Sequence, residues 1–183
     1  MSNFIFTETE IQGVLIIDVK RYEDARGFFM ETYQEQEFQS AGLDVRFVQD
    51  CQSFSRKGVL RGLHFQKNYP QAKLVRVLRG EVFDVAVDLR AGSPTYAQWV
   101  GTLLSGENRR QLLIPKGFAH GFLVLSEEAE FAYKCDAFYH PEDEGGIRWD
   151  DPTLGIRWPA VDQMILSERD QALPLLKNRE ILL

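Results

Sequence analysis

Apolar and polar residues alternate with a period of two along much of the chain. Phe83, Val85, Val87 and Leu89 are apolar, with Asp84 and Asp88 between them. That alternation predicts a strand with one buried face. The run Leu74–Leu78 precedes it, and Arg79-Gly80-Glu81 between the two reads as a hairpin turn. Similar runs predict strands at 13–19, 27–33, 46–54, 59–66, 97–104, 111–114, 121–125 and 130–138. Gly, Pro, Asn and Ser separate them, as at Asn68-Tyr69-Pro70 and Pro115-Lys116-Gly117. Helix is predicted over residues 34–41, ended by Gly42, and in a segment opening at Ser167. There Ser167-Glu168-Arg169-Asp170 has the form of an N-cap followed by a first-turn acid. Many short strands and little helix predict an all-β sandwich or jelly roll with short helices, notably at the C-terminus. No repeat or linker interrupts the 183 residues, which read as one domain, 1–183.

Composition narrows the function. The chain is 44% hydrophobic and 12% aromatic, enough for a sizeable core. Lys plus Arg number 21 against 27 Asp plus Glu, a net charge of −6, which disfavours a nucleic-acid-binding surface. An anionic ligand must then be held by a local basic cluster. The start, Met-Ser-Asn-Phe-Ile-Phe-Thr-Glu, lacks the basic region of a signal peptide. No apolar stretch approaches the ~20 residues of a membrane helix. A cytoplasmic protein without a membrane partner is expected. Cys51 and Cys135 are too few for a disulfide framework and read as reduced and structural.

Candidate chemistry centres on two of the three histidines. His140, before Pro141, is assigned no role. His64 ends Gly58-Val-Leu-Arg-Gly-Leu-His64-Phe-Gln66, and His120 lies in Pro115-Lys-Gly-Phe-Ala-His120-Gly-Phe. These segments resemble the two cupin motifs. Gly58 and His64 match the first, but Gln66 stands where a second His belongs and Gln71 stands near the Glu position. Pro115, Gly117 and His120 match the second, with Arg109 in place of its Gly. Amides are poor transition-metal ligands beside imidazole and carboxylate. The reading is a cupin-like barrel that has lost its metal site, with a metal held by two histidines and water as the competing reading. A free His titrates near ~6.5 and can act as a base. An isolated His is more often a satisfied core residue, but Arg61 and Gln66 beside His64 give that segment little core logic. Strict alternation puts His64 and Arg61 on opposite faces, so a shared pocket requires a bulge at Gly62. Tyr133 shares the less polar face of its strand with Phe131 and Cys135, either as a packed ring or as an acid near a His base. Asp170 reads as a first-turn acid, Asp84 as solvated or pocket-facing. Arg26, before Phe28-Phe29, reads as a surface charge or a diphosphate clamp.

Together these segments resemble the dTDP-4-dehydrorhamnose 3,5-epimerases, from about Phe6 to Leu176. The carriers are Arg26-Gly-Phe-Phe29 with Glu31, Phe47-Val-Gln-Asp50, Val59-Leu-Arg-Gly-Leu-His-Phe-Gln66 and Lys73-Leu-Val75. Further carriers are Gly80 to Asp88, Ile114 to Phe122, Glu130-Phe-x-Tyr-Lys134, Trp158-Pro159, and Leu166-Ser167 with Asp170. The resemblance implies a cupin-type jelly roll, a homodimer, no cofactor and no metal. It implies inversion of C3 and C5 in a dTDP-linked 4-keto-6-deoxyhexose, in dTDP-L-rhamnose biosynthesis.

In that reading His64 is the base, Asp170 orients it, Tyr133 is the opposing acid and Lys73 stabilises the enolate oxygen. Arg26 and Arg61 meet the diphosphate. Phe29, Glu31 and Gln49 surround the nucleotide, His120 lines the sugar pocket, and Lys134 and Glu144 match pocket-lining positions. Two departures stand out: Cys51 replaces an Asn usual in the family, and Arg169 replaces a Lys. Competing readings are a single-site epimerase, a sugar-nucleotide ketoisomerase, a non-catalytic sugar-nucleotide-binding cupin and a metal-dependent cupin.

Overall fold

The chain begins with five strands and one helix. They are β1 (Phe4–Glu8) and β2 (Leu15–Val19), β3 (Arg21–Asp24) and β4 (Gly27–Met30), then α1 (Glu35–Ser40) and β5 (Gln49–Arg56). The central strands are β6 (Leu60–Gln66), β7 (Lys73–Arg79), β8 (Glu81–Asp88), β9 (Trp99–Ser105), β10 (Gln111–Ile114), β11 (Phe118–Val124) and β12 (Glu128–Cys135). A short β13 (Glu144–Gly146) and α2 (Glu168–Gln171) complete the computed structural model, which describes residues 2–176.

Two antiparallel sheets face each other, in the orders β1-β2-β10-β7-β12-β5 and β13-β6-β11-β8-β9. This is an all-β, cupin-like jelly roll. Alternation along the strands sorts the core. Val75, Val77, Val82, Ala86, Phe122 and Phe131 point between the sheets. Leu74, Leu113 and Ile17 point outward from the larger sheet and are covered by Phe38 of α1. Phe38 is fully buried, a contribution of roughly 1.5–3 kcal/mol from area removed from water. Its helix is capped by Gln34, whose side chain accepts from the Glu37 N–H, and is stopped at Gly42, where φ is +82°.

β8 departs from the one-faced strand that its alternation predicts. Val85 and Val87 are packed on the outer face against Leu154, Ile147 and Leu176. Its other face holds Val82, Asp84 and Ala86 between the sheets, and Asp84 is wholly buried. Asp88 is buried too, where burial pushes its carboxyl up but hydrogen bonds from Arg90, Ser93 and Thr95 bring it down to about 2.

The turn at Arg79-Gly80-Glu81 is present, but it does not join a hairpin. β7 pairs with β10 and β12, while β8 pairs with β11 and β9, so the turn carries the chain from one sheet to the other. Local sequence sets a turn; the strand partners set its destination. Three strands outside the expected set are also present: β1, the charged and exposed β3, and β13. β4 ends at Met30, short of the predicted residue 33. The helix predicted at Ser167 is one turn, with the Ser167 hydroxyl accepting from the Asp170 N–H at 3.1 Å. Residues 177–183 of the tail lie outside the described residues.

Candidate active site

A bulge between β6 and β11 builds the site. His64 sits opposite His120, but Arg61 sits opposite Phe122, so β6 takes three steps where β11 takes two. Gly62 absorbs the extra residue at φ +123°. Gly62 and Gly121 meet there: a Cβ on Gly62 would lie 2.5 Å from the Gly121 Cα. The bulge turns Arg61 and His64 into one cleft of about 530 Å³, as the sequence requires if they are to cooperate.

The opposite wall comes from the larger sheet, where register sets three cross-strand rows. Lys73, Cys135 and Gln49 form one row, Val75, Tyr133 and Cys51 the next, and Val77, Phe131 and Ser53 the third. Lys73 and Tyr133 thus face His64 and His120 across the cleft. An adjoining cleft of about 390 Å³ shares His64, Lys73 and Tyr133 and continues to Gln49 and Glu144.

The His64 ring is held between two carboxylates. Its Nε2 lies 2.7 Å from Asp170 Oδ1, and its Nδ1 lies 3.8 Å from Glu144 Oε1. An ionised carboxylate only accepts, so the short contact puts the proton of neutral His64 on Nε2. The Nδ1 lone pair is then available. Burial opposes ionisation of Asp170, but the hydrogen bond and charge of His64, with the Gly62 and Ser167 donors, hold its carboxyl below the ordinary value. Burial likewise opposes ionisation of Glu144, yet hydrogen bonds from Tyr139 and Arg169 bring it down. Those bonds are 2.5 Å from the Tyr139 hydroxyl and 2.7 Å from Arg169 Nη2. His120 Nε2 lies 2.9 Å from the buried Asp84 carboxylate.

Burial pushes the Tyr133 phenol well above its ordinary range, and the charge and hydrogen bond of Cys51 add to the shift. Burial pushes the Lys73 ammonium the other way, down from the usual lysine range. Lys73 has no carboxylate ion pair among the described residues; its Nζ lies 5.9 Å from the Tyr133 ring centroid. Cys135 is buried and its thiol is pushed up to about 11 by burial.

The two amides at the cupin ligand positions do other work. Gln66 donates to the carbonyls of Tyr69 and Phe138 and accepts from the His140 N–H. Gln71 donates to the Ala137 carbonyl. Both amides staple loops to the mouth of the site. Among the described residues no three His, Cys, Asp or Glu side chains are grouped to hold a metal ion.

Of the residues singled out from the sequence, His64, Lys73, Tyr133, Asp170, Arg61 and His120 converge on the larger cleft. Gln49 and Glu144 line the adjoining one. Lys134 points from the opposite face of β12 and pairs with Asp50 at 2.6 Å. Arg26, Phe29 and Glu31 lie away from both clefts. Arg26 and Phe29 stand on the exposed β3–β4 hairpin, and Arg26 pairs with Asp24 at 2.5 Å. Glu31 accepts from the Asn3 amide at 3.0 Å. Tyr139, which braces Glu144, carried no signal of its own: the predicted strand 130–138 stops short of it, and β12 itself ends at Cys135.

A sequence profile described as dTDP-4-dehydrorhamnose 3,5-epimerase matches residues 8–178. The dTDP-4-dehydrorhamnose 3,5-epimerase of Methanothermobacter thermautotrophicus is 58% identical over 173 residues, covering 93% of this chain and 94% of the relative. The crystal structure of the Legionella pneumophila dTDP-6-deoxy-D-glucose-3,5-epimerase in complex with dTDP-4-keto-L-rhamnose superposes with a TM-score of 0.93. It is 56% identical and covers 95% of this chain and 93% of that one. A 3'-monoepimerase from Streptomyces bikiniensis, in complex with dTDP-quinovose, has a TM-score of 0.87 at 33% identity, covering 92% of this chain and 86% of its own. The chain belongs to the dTDP-4-dehydrorhamnose 3,5-epimerase family.

Proposed function

We propose that this isomerase inverts C3 and C5 of dTDP-4-dehydro-6-deoxy-D-glucose, giving dTDP-4-dehydro-L-rhamnose, with His64 as the base. One observation carries the reading: His64, oriented by Asp170, faces Tyr133 and Lys73 across a single cleft.

Both carbons adjoin the C4 ketone, so removing a proton from either gives an enolate. The Nδ1 lone pair of His64 takes the proton. The nearby Glu144 and Asp170 carboxylates favour the imidazolium that results. Negative charge gathers on the ketone oxygen, and Lys73 is the cation that meets it. Because its ammonium is buried and poorly solvated, the charge of an enolate oxygen offsets that cost. Tyr133 returns a proton from the face opposite His64, which inverts the carbon. Its raised pKa keeps the phenol protonated until the enolate takes the proton. Arg61, whose Nε donates to Ser55 at 3.0 Å, offers its outer guanidinium edge to the diphosphate.

The proposal includes a homodimer. Arg26, Phe29 and Glu31 match nucleotide-binding positions yet lie outside the two clefts that this chain builds around His64. The hairpin that carries Arg26 and Phe29 is exposed along its whole length apart from Met30, and Phe29 is 68% exposed. A hairpin extended into a second copy's site reconciles the two facts. Location in the cytoplasm completes the reading, where the free thiols of Cys51 and Cys135 stay reduced. A mixture of Arg26→Ala and His64→Ala chains tests the arrangement. Mixed dimers would regain one intact site, so recovered activity supports it and none opposes it.

The Streptomyces neighbour supports a second reading, inversion at one carbon only, because its fold and substrate class are shared. Identification of the product by NMR separates the two readings.

A further inference from the structure

Arg109 lines neither cleft around His64. It stands just before β10, at the position where the second cupin motif carries Gly, and its φ is +52°. A Cβ is unfavourable in that left-handed conformation, so glycine would fit it better. The arginine is nevertheless well placed. Its guanidinium lies 3.8 Å from the centroid of Phe28, a close cation–π stack. Its Nη1 is buried there with no hydrogen-bond partner among the described residues.

Phe28 belongs to the β3–β4 hairpin, which has little else to hold it. Neither strand has a fully buried residue. Other fastenings lie towards its base, where Tyr22 donates to Asn3 at 2.7 Å, Asn3 donates to Glu31 at 3.0 Å and Gln111 donates to the Thr32 carbonyl at 2.9 Å. Alternation along β4 puts Phe28 and Met30 on one face and Phe29 on the other, opposite Tyr22. A grip on Phe28 therefore fixes which way Phe29 and its neighbour Arg26 are presented.

We propose that Arg109 is a positioning residue for substrate binding. It aims the hairpin by stacking on Phe28, and its side chain outweighs the backbone penalty for that reason. This rests on the reading above that the hairpin contributes Arg26 and Phe29 to a substrate site.

Steady-state kinetics on Arg109→Gly, Arg109→Lys, Phe28→Ala and the Gly/Ala double variant test it, with Arg26→Ala alongside. Glycine suits the backbone at φ +52°, so Arg109→Gly removes the stack without straining the fold. The expected result is a KM for the sugar nucleotide raised about tenfold with kcat changed less than about twofold. Arg109→Lys, which keeps the cation, should restore most of the affinity. Phe28→Ala should match Arg109→Gly, and the double variant should be no worse than either alone. A normal KM in Arg109→Gly overturns the proposal, as do additive effects in the double variant. Arg26→Ala distinguishes the two levels. If it leaves KM unchanged, the hairpin's role in binding fails; if it raises KM while Arg109→Gly does not, only the role of Arg109 fails.

Discussion

Asp170 Oδ1 lies 2.7 Å from His64 Nε2, although the two residues are 106 positions apart. Asp170 comes from a single helical turn capped by Ser167, and His64 from a bulged strand. The short contact fixes the ring and its tautomer, and leaves the proton-free nitrogen at Nδ1, 3.8 Å from Glu144 Oε1. Asp170→Asn should therefore keep the shape but allow the wrong tautomer. The expected loss in kcat is about 10²–10⁴-fold, the range of one positioned acid–base group, with KM little changed. A kcat within a factor of about two would remove Asp170 from the account.

The same contact makes an acid-stability prediction. The Asp170 carboxyl is held below its ordinary 3.8 in the folded chain. Its contribution to stability is thus full above the ordinary value and is lost as pH falls through the lower folded value. Thermal melts of the wild type and Asp170→Asn should differ at neutral pH and converge in strong acid. A gap that widens as pH falls would contradict the sign.

Lys73 governs the alkaline side. Burial lowers its pKa from 10.5, and the mechanism needs its cationic form. The kcat profile should fall with rising pH before the ordinary lysine value is reached. Lys73→Arg, whose guanidinium stays charged, should move that fall to higher pH, while Lys73→Met should lower kcat throughout. An alkaline limb unmoved in Lys73→Arg would assign it to another group.

Gly121 is where the bulge is most exposed to substitution. A Cβ there would sit 2.7 Å from the Arg61 carbonyl oxygen and 3.1 Å from the Gly62 Cα, both backbone atoms that cannot swing aside. Gly121→Ala should push β6 off β11, costing about 1–3 kcal/mol as overpacking and separating Arg61 from His64. Chemical denaturation and activity should both report the change. Wild-type values in both would show that the close approach is not needed.

The core of the site was legible in the sequence because its residues sit in long ordered motifs on regular strands. His64, Lys73, Tyr133 and Asp170 reach one cleft as their segments imply, and the bulge at Gly62 follows from the demand that Arg61 join them. Four things were not legible. The turn at Gly80 looks like any hairpin turn, since strand partners are decided by packing across the whole molecule. Asp88 read as a polar residue and Asp84 as solvated or pocket-facing, because the cover on the outer face of β8 comes from segments such as Ile147 and Leu154, far along the chain. The placement of Arg26 and Phe29 depends on where an exposed hairpin reaches, which no local pattern encodes. Lys134 fails for a simpler reason: one step along β12 from Tyr133 reverses the face.

Tyr133 separates proton removal from inversion. Tyr133→Phe keeps the ring and the His64 base but removes the acid. It should still exchange substrate protons with solvent while forming the inverted product at least about 10²-fold more slowly. Loss of exchange and inversion together would place Tyr133 in the first step instead.

In the proposed reaction His64 removes protons at both carbons beside the ketone. Turnover of dTDP-4-dehydro-6-deoxy-D-glucose in heavy water, followed by NMR, shows where protons are exchanged. The wild type should place one deuterium at C3 and one at C5 of the product, and His64→Ala should place none while still binding dTDP. Label at a single carbon in the wild type would contradict the double inversion, and label at both carbons in His64→Ala would contradict the base.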